Sequence, residues 1–192
     1  MIKYGLLGSL LVSGSLTAAG QQVLQGDSVY QNLQTNKSSL ADIKRVMGWP
    51  SSKKKLVNIK YGHFREGGSF TSKSLVGYTF SYKRRGVNFT VEEETHKLSR
   101  IAFRPAAAIV TAKGIQPGKS TFADVVAAYG AIDVNKDLRE PPYIYQARID
   151  RHTKKERWIT VLRYQGIRFV SYGKLEPKVD FSPRRVDEIQ LD

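Results

Sequence analysis

A twelve-residue pattern occurs twice in this chain, about 82 positions apart. Lys37-Ser38-Ser39-Leu40-Ala41-Asp42-Ile43-Lys44-Arg45-Val46-Met47-Gly48 aligns with Lys119-Ser120-Thr121-Phe122-Ala123-Asp124-Val125-Val126-Ala127-Ala128-Tyr129-Gly130. Lys, Ser, Ala, Asp and Gly coincide, and Leu/Phe, Ile/Val and Met/Tyr exchange one apolar residue for another. A second echo follows each copy, Gly86-Val87-Asn88-Phe89 against Gly166-Ile167-Arg168-Phe169, at an offset of about 80. Two echoes in the same order at nearly the same spacing point to a duplicated unit. Whatever fold forms must accommodate the same local elements in both halves.

The first copy reads as a short amphipathic helix. Ser38 or Ser39 is a capping residue, and Leu40, Ile43, Val46 and Met47 fall at helical spacing. Asp42 suits the positive end of the helix dipole, Gly48 fits a position just past the helix, and Pro50 keeps it from resuming. In the second copy Ser120 or Thr121 caps, Phe122, Val125, Val126 and Tyr129 form the stripe, and Gly130 ends it. Helices of about ten residues are not stable alone and need a surface to pack on.

Period-two alternation supplies that surface. Tyr78, Phe80 and Tyr82 lead through Arg84-Arg85-Gly86 to Val87, Phe89 and Val91, the signature of an antiparallel hairpin with one buried face. Leu98, Ile101 and Phe103 add a strand. The second half offers Trp158, Thr160 and Leu162, a turn at Tyr164-Gln165-Gly166, then Ile167 and Phe169, and a last strand through Val186, Ile189 and Leu191. Val57, Ile59 and Tyr61 correspond loosely to Tyr143, Tyr145 and Ala147. The expected fold class is α+β: two tandem repeats, residues 36–104 and 105–192, each a short helical element followed by a three- to four-stranded antiparallel sheet. The two sheets are expected to lie edge to edge. Residues 21–35 form an N-terminal segment, and a loop at 174–185, marked by Pro177 and Pro183, is inserted in the second repeat.

Residues 1–20 read as a signal peptide: Lys3, an apolar run from Leu6 to Leu16, then small residues at Thr17-Ala18-Ala19-Gly20. A run of about 11 residues is too short to span a bilayer, so no transmembrane span is expected after cleavage and the location is periplasmic or secreted. There is no cysteine, hence neither a disulfide nor a thioether-linked lipid. The formal net charge of +14 favours anionic partners. The basic residues are scattered in small knots, Lys53-Lys54-Lys55, Lys83-Arg84-Arg85 and Lys154-Lys155, rather than in the single stripe of a dedicated nucleic-acid reader.

The halves differ on the sheet face opposite the aromatic stripe. In the first it is polar, with Thr79, Ser81, Lys83, Asn88 and Thr90. In the second it carries Ile159, Val161, Val170 and Tyr172 with Arg163 and Arg168. A sheet apolar on both sides is either covered twice, here by the segment around Val23 to Leu33 or by the other repeat, or presents one side to a partner. These six residues are the candidate binding face.

The pattern Ser, three residues, Asp, an apolar residue, four residues, Gly (Ser38, Asp42, Ile43, Gly48, with Pro50; Ser120, Asp124, Val125, Gly130) resembles the opening of the SmpA/OmlA-type outer-membrane assembly lipoproteins. It is also similar to the tandem units of β-lactamase-inhibitor proteins. The resemblance implies an exported protein that binds another protein through its sheet. The chain departs from it in lacking a lipid-bearing cysteine, in having no Pro after Gly130, and in its strong positive charge.

Catalytic chemistry finds little support. Gly114-Ile115-Gln116-Pro117-Gly118-Lys119-Ser120 mimics a phosphate-binding loop but has three residues, not four, between Gly114 and Gly118-Lys119, and Pro117 has no N–H to give. Its counterpart Asn36-Lys37-Ser38 marks Lys-Ser as the approach to a helix. Glu92, Glu94 and His96 could in principle bind a divalent ion from one side of a strand, but read more simply as a charged hairpin tip. His63 and His152 lack zinc-type spacing. The expectation is a non-enzymatic binding protein with no cofactor and no metal, whose partner is a protein or envelope component. The alternative is a basic envelope protein binding anionic ligands such as lipopolysaccharide or nucleic acid.

Overall fold

Ser39 caps helix α1 (Leu40–Met47) and Thr121 caps helix α2 (Phe122–Tyr129) with the same reciprocal pair of bonds. In a computed structural model, the Asp42 N–H donates to Ser39 Oγ (3.3 Å) while the Ser39 N–H donates to Asp42 Oδ2 (2.9 Å). Thr121 and Asp124 repeat this at 3.3 and 2.7 Å. These bonds satisfy N–H groups that the first helical turn leaves unpaired, and they hold both carboxyl groups below the usual carboxylate range. Ahead of each cap, Ser38 Oγ accepts from Gln34 N–H (2.9 Å) and Ser120 Oγ from Gln116 N–H (3.0 Å). Lys119-Ser120 therefore belongs to a turn that leads into a helix.

The structure describes residues 22–24, 29–63, 69–132, 141–150, 157–173 and 180–192. The expected signal peptide, His152, Lys154-Lys155 and the first half of the 174–185 insertion lie outside them. In chain order the elements are β1 (Gln22–Val23), β2 (Val29–Tyr30), β3 (Leu33–Gln34), α1 (Leu40–Met47), β4 (Ser52–His63), β5 (Ser69–Tyr82), β6 (Val87–Glu92), β7 (Leu98–Phe103), β8 (Ile109–Val110), α2 (Phe122–Tyr129), β9 (Tyr143–Asp150), β10 (Arg157–Tyr164), β11 (Ile167–Tyr172) and β12 (Glu188–Leu191), with short 3-10 turns at Lys83–Arg85 and Pro105–Ala107. Among these, no helix is long and apolar enough to cross a membrane.

The expectation of two tandem helix-plus-sheet repeats is overturned. The protein is mostly sheet, with one antiparallel sheet of eight strands in the order β4-β5-β6-β7-β12-β11-β10-β9 and two helices of eight residues each. The junction is the antiparallel pairing of β7 with β12, which sets Phe103, Ala102 and Ile101 opposite Ile189, Gln190 and Leu191. Its physical cause is that two separate sheets would each leave an unpaired edge beside large buried aromatics. Joining them satisfies both edges and merges the two cores into one.

One face of this sheet carries that core. Phe89, Phe103, Phe169, Leu162, Ile101 and Ile189 are fully buried together with Ile43 of α1 and Phe122 of α2. Each such side chain contributes about 1.5–3 kcal/mol of burial. Tyr30 packs edge-on to Phe103 (4.8 Å between ring centres), so the segment around Tyr30 and Leu33 covers this face and not the opposite one. At the far end of each helix the chain turns through a glycine at positive φ, Gly48 (77°) and Gly130 (104°), a backbone region that favours residues without a Cβ. The carbonyls there are held from the sheet: Tyr82 Oη donates to Gly48 O and Tyr164 Oη to Gly130 O, each at 2.8 Å.

Strands β4 and β5 run on past the rest of the sheet. β6 pairs with β5 only over Gly77 to Tyr82, whereas β4 and β5 stay paired from Ser52↔Ser81 to His63↔Ser69. Beyond a bulge at Leu56/Val57, seven residue pairs project as a two-stranded arm about 24 Å long.

Replacing Tyr82 or Tyr164 by Phe removes one hydrogen bond to a helix-end carbonyl while keeping the ring. Each change is expected to lower the unfolding free energy by about 1 kcal/mol in urea titrations, with no change in far-ultraviolet circular dichroism.

Candidate functional site

Alternation along the strands decides what lines the sheet face turned away from the helices. From one edge inwards it carries Tyr143 and Tyr145, then Ile159, Val161 and Arg163, then Arg168, Val170 and Tyr172, then Glu188 and Gln190, with Asp192 just beyond. It continues through Arg100 and Ala102 to Asn88 and Thr90, then Thr79 and Ser81. All six residues of the candidate binding face are there, in cross-strand pairs: Ile159↔Tyr172, Val161↔Val170 and Arg163↔Arg168.

They do not share one environment. Val161 and Val170 are 1% and 2% exposed and, with Ala102 and Tyr143, are buried without belonging to the helix-side core. They form a floor. Ile159, Arg163 and Arg168 are half-buried around it, and Tyr172 stands 48% exposed. A partner would therefore meet Tyr172, Ile159 and the arginines, and not the valines themselves.

Two charged clusters tie the floor together. The carboxylate of Glu188, a buried residue, accepts from Tyr172 Oη (3.0 Å) and from Gln190 Nε2 (2.6 Å) and pairs with Arg104 Nε at 3.3 Å. Burial, and then the negative charge of Glu188, push the Tyr172 phenol up to about 12. In the second cluster three guanidinium groups converge on one carboxylate. Arg168 Nε donates to Asp192 Oδ2, Arg163 Nη2 lies 3.5 Å from the same oxygen, and Arg100 Nε lies 3.6 Å from Oδ1. Arg163 Nη1 also donates to Tyr143 Oη (3.0 Å). Burial and the neighbouring Arg168 lower the affinity of Arg100 for its proton, and Asp192 partly offsets this. Among the described residues, Nε of Arg100, Nε of Arg163 and Oδ1 of Asp192 are buried with no hydrogen-bond partner.

Three cations against one anion leave this patch positive, with spare donors. Beside it lies a cavity of about 330 Å³ lined by Leu56, Val76, Thr90, Arg100, Arg168 and Asp192, among others. The arrangement suits recognition of a negatively charged surface. Among the described residues, no three His, Asp or Glu side chains gather as a metal set. Glu92 is tied to Thr95 Oγ1 (3.0 Å), and His96 sits exposed in the turn at positive φ.

Sequence alternation found the β10 and β11 residues but missed Arg100 and Asp192. The cause for Arg100 is a bulge between β6 and β7: Val91 pairs with Leu98 and Thr90 with Arg100, leaving Ser99 unopposed and shifting the phase. Strict period-two counting would have put Arg100 on the same side as Leu98. Glu188, Gln190 and Asp192 were legible as the polar alternates of Ile189 and Leu191. Compared with protein-family models, curated proteins and solved structures, the chain finds no match.

Asp192→Ala leaves three arginines facing one another without their anion and is expected to lower stability by about 2 kcal/mol in urea unfolding. Raised salt should recover part of that loss. A second outcome concerns pH. Because the folded pKa of Tyr172 lies above the ordinary 10.0, its stabilising contribution is complete below pH 10 and is lost as pH rises towards about 12. Tyr164, pushed up to about 12 by burial and by Tyr129, acts in the same window. Tyr172→Phe should make the alkaline fall in unfolding free energy shallower.

Proposed function

We propose that this is a non-catalytic binding protein, exported to the periplasm or secreted, that takes a protein partner of the cell envelope on the face of the sheet turned away from the helices. The observation that carries the reading is the asymmetry of the sheet. Both helices and the Tyr30–Leu33 segment pack on one face. The other has a buried apolar pair, Val161 and Val170, flanked by the half-buried Ile159, Arg163 and Arg168 and by the exposed Tyr172. Tyrosine and arginine around a desolvated centre are the residue types that dominate protein interfaces. The resemblance of the Ser–Asp–Gly pattern to outer-membrane assembly lipoproteins and β-lactamase-inhibitor proteins agrees with this mode of action, and the N-terminal leader pattern with export.

The excess of arginine over carboxylate on this face favours a partner with an acidic surface. The same charge supports the second reading, an anionic ligand such as lipopolysaccharide. The two separate by salt: contact over an apolar floor persists at moderate ionic strength, whereas purely ionic binding weakens steeply.

The test uses the full chain, tagged, on envelope extract. Tyr172→Ala combined with Ile159→Ala removes contact area and should reduce capture of the partner at least about tenfold, with a lowered urea midpoint but unchanged far-ultraviolet circular dichroism, while Tyr172→Phe, which keeps the ring, retains capture. Unchanged capture would exclude this face. Val161→Asp is unsuitable as a binding probe, because an unpaired carboxylate at a 1% exposed position is expected to unfold the protein.

A further inference from the structure

Strand β4 is an edge of the eight-stranded sheet, and residues 52–58 and Lys60 are exposed. In an antiparallel pair alternate residues bond to one neighbour, so every second N–H and C=O of β4 faces away from β5. Among the described residues, β5 outward from Gly77 pairs with no strand but β4. Such an arm is marginal by itself in water.

The charged side chains of its two strands are all positive lysines. Strands β4 and β5 contain Lys53, Lys54, Lys55, Lys60 and Lys73 and no Arg, Asp or Glu. Among the described residues none of these lysines forms an ion pair. Lys53 lies instead over the Tyr78 ring at 3.6 Å. Next to the lysines, Leu56, Val57, Leu75 and Val76 are large apolar residues left 37–42% exposed.

We infer that β4 is the docking edge for an extended acidic segment of a partner protein, which adds as a further strand. Its carboxylates lie against Lys53, Lys54 and Lys55, and its apolar side chains against Leu56 and Val57. Main-chain hydrogen bonds supply affinity in this mode, and alternate side chains supply specificity. Register places Lys53 and Lys55 on the helix side of the sheet and Lys54 on the other. An added strand, whose side chains alternate in the same way, meets lysine on both faces. A phosphate backbone or a lipid surface approaches from one side only, and the absence of arginine leaves no bidentate forks for phosphate. A second copy of the chain is disfavoured, since β4 against β4 sets lysine opposite lysine.

This inference rests on the reading that the partner is a protein, and its test needs no natural partner. Fluorescent peptides with a Glu-Glu-Glu-Val-Val core, in both sequence orders, are titrated against the full chain by anisotropy, with hydrogen exchange of the β4 amides as second readout. Two controls are a peptide with Lys for Glu and one with alternate backbone nitrogens methylated. The expected result is binding of the Glu peptide with slowed exchange in β4, and about tenfold weaker binding of the methylated peptide. Lys53→Glu/Lys54→Glu/Lys55→Glu, at exposed positions, should reverse the preference to the Lys peptide. Equal binding of the methylated peptide, unchanged β4 exchange, or stronger protection of the same amides by duplex DNA or anionic vesicles would overturn the inference. Envelope capture retained by the triple variant while peptide binding is lost removes the arm from the partner's site but keeps the sheet face. Capture unaffected by Tyr172→Ala/Ile159→Ala, with peptide binding intact, does the opposite.

Discussion

The pairing of β7 with β12 is the constraint on which the rest depends. Three residue pairs, Ile101↔Leu191, Ala102↔Gln190 and Phe103↔Ile189, join strands more than 80 positions apart. On the helix side this seam brings Phe103, Ile101, Ile189 and Leu191 into one core. On the other side the same strands carry Arg104 to Glu188 and Arg100 to Asp192. Closing so long a loop costs entropy before any contact repays it. The seam therefore both unifies the core and brings Arg100 and Arg104 to the carboxylates of Asp192 and Glu188 on the open face. A change that loosens it would part these two arginines from their carboxylates and divide the core at once.

This explains which features were legible in the sequence. The helices were, because their signals are local: Ser39 with Asp42 and Thr121 with Asp124 lie three residues apart and need no tertiary information. The matching tyrosines, Tyr82 to Gly48 and Tyr164 to Gly130, explain why the copies keep an aromatic at the end of the first hairpin strand. Strand alternation placed Ile159, Val161, Arg163, Arg168, Val170 and Tyr172 on one face because period two is also local. Edge-to-edge sheets were expected, but one sequence did not reveal that β7 and β12 are the strands that meet, nor that the result is one continuous eight-stranded sheet, because edge pairing is decided between distant segments. Nor did it show the bulge at Ser99 that turns Arg100 to the open face, since a bulge is a property of two strands and not of one.

The echoed residues serve local geometry (Ser39 and Thr121 as caps, Gly48 and Gly130 as helix ends) and the shared core (Ile43, Phe89, Val125 and Phe169). The open face gains its chemistry from positions where the halves differ. Asn88 in β6 corresponds to Arg168 in β11, and that substitution supplies the cation nearest Asp192. Thr79 and Thr90 meet across β5 and β6 with their hydroxyls 3.4 Å apart, whereas Val161 and Val170 meet across β10 and β11 as a dry floor. The two ends of the sheet thus differ on the outer face: around β10 and β11 it is apolar and cationic, around β5 and β6 it is polar.

The two kinds of positive charge do different physical work. The arginines of the open face share one carboxylate, and Arg163 also contacts the Tyr143 ring and hydroxyl, so their planar groups are held in place. The lysines of β4 are point charges on an exposed edge, none of them in an ion pair among the described residues. Unopposed, they guard a long strand against pairing with another copy. A strand of opposite charge turns that repulsion into attraction. An edge that is closed to its own kind and open to acidic segments needs no pocket: lysine on both faces of the strand, beside two exposed apolar residues, is sufficient.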